Sequence, residues 1–189
     1  MSSKNYMDIC DGISKEIKTK DHLYPLLLQY IFEQSLLQHT YSKYYAALVD
    51  VLNTSLSHKE HLIYKNINLS YQTITQPIQQ SSSEYSNLCS KNKQIDQLIG
   101  HCIFVSELEM RNIIQGKVDV SIQSLLEQMK TELTEDEMYK CVLCLYNIFK
   151  VVYNGTEIKK EYGDQLTETK ERIKYMKVKF KIMDILERR

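Results

Sequence analysis

Cys141 and Cys144 are separated by two intervening residues, a spacing that in pairs builds zinc and disulfide-exchange sites. Here there is no second cysteine pair and no partner histidine nearby. The two thiols also fall within a helical run, where cysteine acts as a small hydrophobe. His58 and His61 open another helical stretch and could place two imidazoles on one face, but no third ligand is apparent, so a surface pair fits them equally well. Carboxylates are plentiful, yet none sits in a context that marks a raised pKa. No glycine-rich phosphate loop and no nucleophile elbow occurs. The residues therefore point away from an enzyme, and no metal or cofactor is expected. Glu107 follows Ile103 and Phe104 by four and three residues, which sets it against an apolar helical face. It reads as a partly buried acid bonded to a neighbouring helix.

Charge narrows the partner classes. Lys plus Arg equals Asp plus Glu at 24 each, so the chain as a whole has no bulk attraction for nucleic acid or an acidic membrane. Locally it is uneven. Lys170 to Lys181 holds six basic residues and one acidic, a net of +5, whereas Val105 to Glu137 holds eight acidic and three basic, a net of −5. The basic run could meet RNA phosphates through Lys170, Arg172, Lys174, Lys177, Lys179 and Lys181, or an acidic protein.

The elements that must carry these residues read as helices. The 189 residues include only 5 Gly and 2 Pro, too few for the turns of a sandwich or barrel, and 43% are hydrophobic against 25% charged, as in a globular protein. No apolar run reaches the ~20 residues of a membrane span. The opening MSSKNYMDIC has no hydrophobic signal core, and the five cysteines are irregularly spaced, so the expected compartment is the cytoplasm. The sequons at Asn53, Asn68 and Asn154 then carry no meaning.

Apolar residues at Ile95, Leu98, Ile99, Cys102, Val105 and Leu108 recur at helical steps, with Ile103, Phe104 and Met110 widening the face, so Ile99 to Ile114 predicts a core helix. Further helices are predicted from Lys4 to Lys18, from a cap at Asp21 to about Gln38 with Pro25 in the first turn, and from Tyr41 through Leu52. His58 to Ile74 follows more weakly. A run after Gly116 holds Val118, Ile122, Leu125, Leu126 and Met129. A capping box at Thr134 and Glu137 opens the stripe Met138, Cys141, Val142, Leu145, Ile148, Phe149 and Val152, which ends at Asn154-Gly155. Helices over Thr156 to Ile173 and Lys177 to Arg189 close the chain. Residues 76–93, rich in Gln, Ser and Asn, predict a flexible linker.

Three blocks of this sequence resemble the middle domain of eukaryotic translation initiation factor 4G. Gly100, Phe104, Val105, Glu107 and Leu108 are similar to its signature "glycine, asparagine, two residues, phenylalanine, isoleucine, glycine, glutamate, leucine", with His101 in place of asparagine and Ser106 in place of the second glycine. Ile31-Phe32-Glu33 and Tyr45-Ala46 resemble two conserved elements of an earlier repeat, although Gln34 and Ser35 depart from its lysine and alanine. Lys177, Val178, Lys179, Phe180, Asp184, Ile185, Leu186, Glu187 and Arg189 look like the family's final helix, with Lys181 replacing a methionine.

The resemblance implies an all-α fold: one domain over 1–189, a right-handed α-solenoid of about five antiparallel HEAT-type helix pairs, the linker falling between the second and third. It implies a translation-initiation scaffold that binds the DEAD-box RNA helicase initiation factor 4A, touches both helicase lobes and favours the active arrangement. Phe104, Glu107, Lys177, Lys179, Phe180 and Asp184 are the helicase-binding residues it carries over, and messenger RNA and other initiation factors are further expected partners. Tyr64 to Ser70 fails the family's cap-binding-protein motif at its last position. Related middle domains serve splicing, nonsense-mediated decay or translational repression, and a general protein scaffold is the alternative of a different class.

Overall fold

The computed structural model describes residues 6–55, 60–77 and 83–187, apart from the side chains at 7, 54 and 55. Among them are nine α-helices and no strand. The chain divides into two compact units, Met1–Gln115 and Gly116–Arg189.

The first unit holds α1 (Tyr6–Thr19), α2 (Tyr24–Leu37), α3 (Ser42–Ser55), α4 (Glu60–Thr75) and α5 (Glu84–Met110), with short 3-10 turns at Asp21–Leu23 and His39–Tyr41. Pro25 sits in the first turn of α2, where no helical amide bond is lost. Asp21 does not cap α2; it opens the preceding 3-10 turn, and the N-cap position is Leu23 without a side-chain cap. α5 packs against α2, α3 and α4, and α1 against α3. Leu98, Phe104, Val105 and Leu108 are buried as the periodicity predicts, but Met110, placed on the same face, is 52% exposed.

The linker expected over 76–93 is helical from Glu84 onward. Ser83 accepts a bond from the Ser86 amide at 3.4 Å to start the helix. Between Glu84 and Ile99 there is neither glycine nor proline, so a helix anchored by its apolar half propagates back through polar residues at little cost. Gln94 then ties this half to the end of α4, its Nε2 donating to the carbonyls of Ile74 at 2.6 Å and Gln76 at 2.9 Å.

The second unit holds α6 (Lys117–Gln128), α7 (Glu135–Val152), α8 (Lys160–Arg172) and α9 (Met176–Leu186). α7 is its hub, packing against α6 and α9, and α8 packs against α9. The capping box forms: the Thr134 amide donates to Glu137 Oε2 at 2.9 Å and the Glu137 amide to Thr134 Oγ1 at 3.4 Å. From Met138 to Phe149 the predicted α7 stripe is buried, while Val152 is half-buried.

Candidate functional site

The two thiols of the Cys141–Cys144 pair are used for packing. Cys141 and Cys144 are buried on α7, and burial pushes the Cys141 thiol up to about 11, so the nucleophilic thiolate is suppressed. His58 lies outside the described residues, and His61 is exposed on α4. Among the described residues no three His, Cys, Asp or Glu side chains are grouped to hold a metal ion.

The signature residues of α5 build the core of the first unit. Ideal Cβ placement at Gly100 would fall 2.8 Å from the Leu36 carbonyl oxygen and 3.1 Å from its Cα, so α5 crosses the end of α2 at a distance only glycine permits. One turn on, Phe104 meets Phe32 edge-to-face with centroids 4.9 Å apart, joining the two blocks of resemblance that lie far apart in sequence. Phe104 is 1% exposed. It cannot touch a partner directly, which corrects its assignment as a contact residue: its place on the apolar stripe of α5 turns it inward.

His101, also buried, places Nδ1 3.0 Å from Ser70 Oγ. Ser70 Oγ also lies 2.9 Å from the Ile67 carbonyl oxygen. Desolvation lowers the His101 pKa from 6.5 to about 4. Glu107 is half-buried; desolvation raises its carboxyl pKa, while Arg111 and Lys43 pull the other way.

In the second unit the basic run does structural work that its sequence does not announce. Arg172 donates from Nη2 to the Met129 carbonyl at 2.8 Å and from Nη1 to that of Lys130 at 3.4 Å, satisfying acceptors at the end of α6. Lys177 lies 3.8 Å over the Tyr139 ring and Lys181 4.0 Å over that of Tyr146, so two lysines of α9 stack on two tyrosines of α7. Lys181 also donates to Asp184 at 2.7 Å. Lys174 is exposed, and Lys170 and Lys179 are half-buried. A separate clamp joins α8 to α6: Lys159 donates to both oxygens of Asp119 at 2.9 and 3.0 Å and the Tyr162 hydroxyl to Oδ1 at 2.8 Å. The hydrogen bonds from Lys159 and Tyr162 hold the Asp119 pKa below its usual range.

α9 also turns apolar residues outward. Val178, Ile182 and Ile185 are buried, while Met176 and Phe180 are each 58% exposed and Met183 is 38% exposed. These three recur at steps of four and three, forming one stripe on the side of α9 away from its core residues. Lys177, Lys179 and Asp184 border it.

The first unit exposes another apolar surface, one that the sequence reading does not identify. Ile9, Ile13 and Ile17 of α1 with Leu23, Leu26 and Leu27 line an open groove of about 640 Å³. Its α2 wall continues through Tyr30 and Leu37, both more than half exposed. A signal was available: from Tyr24 to Leu37 the only charge is Glu33, and leucines occur on every side of the helix, more apolar residue than a single buried stripe consumes.

No known protein family, curated protein or solved structure matches the chain.

Proposed function

We propose that this chain is a translation-initiation scaffold of the initiation factor 4G middle-domain type, working through initiation factor 4A. The observation that carries the reading is a pair of apolar surfaces, one on each unit: Met176, Phe180 and Met183 on α9, and the α1/α2 groove continuing to Tyr30. Exposed Phe, Met and Tyr on stable helices are the side chains that dominate macromolecular contacts. Two such surfaces suit a client built of two lobes. The α9 surface coincides with the block that resembles the family's final helix, and the meeting of Phe32 with Phe104 supports a shared packing plan.

In this reading, α9 holds one helicase lobe and α1 with α2 holds the other. Turnover rises because contact with both lobes favours the arrangement in which both are placed for ATP and RNA, and only that difference in affinity shifts the population. Direct RNA binding is secondary. Arg172, Lys177 and Lys181 already have partners within the unit, which suits protein contact better than a phosphate track.

A pull-down with purified initiation factor 4A, followed by RNA-stimulated ATPase assays, tests the proposal. Binding with stimulation is expected. Binding without stimulation would turn the scaffold into a repressor, and absence of binding would leave a scaffold for a different client.

A further inference from the structure

Nine asparagines occur in the sequence, and one of them, Asn154, is followed by glycine. Asn5 lies outside the described residues, and the surroundings of the other eight differ sharply. Asn53, Asn66, Asn68, Asn87, Asn92 and Asn147 lie within α3, α4, α5 and α7, where helical geometry holds each following amide away from the side chain. Asn66 and Asn147 also donate their Nδ2 groups to the Leu62 and Leu143 carbonyls at 2.9 and 2.8 Å. Asn112 has a positive φ of 58°, but the residue after it is buried Ile113.

Asn154 sits in the turn that follows α7, exposed, with exposed Gly155 after it at φ 78°. The turn is closed by one long bond, from the Thr156 amide to the Tyr153 carbonyl at 3.3 Å. An ideal Cβ on Gly155 would find nothing within 4 Å, so the backbone here is surrounded by open space. Glycine also removes the side chain that normally obstructs approach to its amide nitrogen.

We propose that Asn154 is a self-modification site at which the folded protein deamidates through a cyclic imide. The Gly155 backbone nitrogen attacks Asn154 Cγ; a C–N bond forms, the bond from Cγ to Nδ2 breaks, and Nδ2 leaves as ammonia with the proton lost by the Gly155 amide. Water then adds to one of the two imide carbonyls and reopens the ring, leaving aspartate or, where the main-chain carbonyl is hydrolysed, isoaspartate. Water is consumed and ammonia released, with no change of oxidation state. The product moves the net charge from 0 to −1 and puts the new carboxylate just beyond the C-terminal end of α7, where the helix disfavours an anion. Isoaspartate also lengthens the backbone of the short connection between α7 and α8.

The test is to age the full chain in warm, mildly alkaline buffer and map peptides by mass spectrometry, with Asn154→Gln alongside and a short synthetic peptide spanning the turn as reference. The expected result is progressive loss of asparagine at 154 alone, an isoaspartate signal at that position, and one new acidic band on isoelectric focusing that the Asn154→Gln protein does not develop. Asn154 persisting in the folded protein while the peptide converts would overturn the proposal, and so would conversion spread over the other asparagines.

Discussion

The two units bury their cores by the same helical periodicity but join their helices by different chemistry. In the first, α5 is held to α2 by close approach at Gly100 and by the Phe32–Phe104 edge contact, with neutral His101 enclosed beside Ser70. In the second, charged groups join the helices at the surface: Arg172 on the end of α6, the Lys177–Tyr139 and Lys181–Tyr146 stacks, and the Asp119–Lys159–Tyr162 clamp. The difference teaches that signature residues and charge runs both take part in packing. Phe104 is core, and Arg172, Lys177 and Lys181 of the basic run fasten helices within the second unit.

The sharpest break between the units is expected from two phenylalanines. Phe104→Ala removes a ring that is 1% exposed and should cost ~3–5 kcal/mol. Hydrogen exchange of the full chain should show the loss across α2 to α5. Phe180→Ala, at 58% exposed, should change stability by no more than ~0.5 kcal/mol. Equal losses from both would erase the distinction.

Acid separates the units next. The folded pKa of His101 lies below its unfolded value of 6.5, so the histidine costs nothing above pH 6.5. As pH falls from 6.5 towards 4 the unfolded chain takes up a proton that the folded chain refuses, and up to ~3 kcal/mol of stability is lost. Asp119 in the second unit behaves differently. Its folded pKa is depressed, so its contribution is present above the unfolded value of 3.8 and is lost only as pH falls below that. Denaturant melts from pH 7 to 4 should weaken the wild type, and His101→Asn should flatten that slope.

Gly100→Ala comes third. In an open helix the change would stabilise by roughly 0.5–1 kcal/mol, but here the methyl meets Leu36 backbone, and a loss of ~1–3 kcal/mol is expected in thermal or denaturant melts. A smaller loss, ~1 kcal/mol, should follow Arg172→Ala, because the carbonyls at the end of α6 lose their donors. Exchange at the end of α6 should report it. Faster exchange in α2 to α5 instead would contradict its assignment to the second unit.

Much of this fold was legible in sequence because helical stripes are local: the α7 run and its capping box, Pro25 in α2 and the stop at Gly155 all follow from residues within two turns. The start of α5 at Glu84 was not legible. Polar composition describes solvation, whereas helix propagation from an anchored half and the Gln94 bond to α4 depend on contacts distant in sequence. The roles of Arg172 and Lys177 were hidden for the same reason, since their partners at Met129 and Tyr139 are tens of residues away. Resemblance marked Phe104 and Phe180 alike, and only burial distinguishes packing from exposure. The α1/α2 groove is not legible because periodicity reports which residues are apolar and not which of them a neighbouring helix leaves uncovered.

On the proposed function, α9 presents a partner surface for one lobe of a helicase while Phe104 in the core supports the fold. The most direct measurement is calorimetric titration of purified initiation factor 4A with the wild-type chain and with Phe180→Ala, the fold of each checked by its thermal melt. The account predicts binding by the wild type and a roughly tenfold or greater loss with Phe180→Ala at unchanged melting. Equal affinity of the two proteins, or no heat of binding with the wild type, would contradict it.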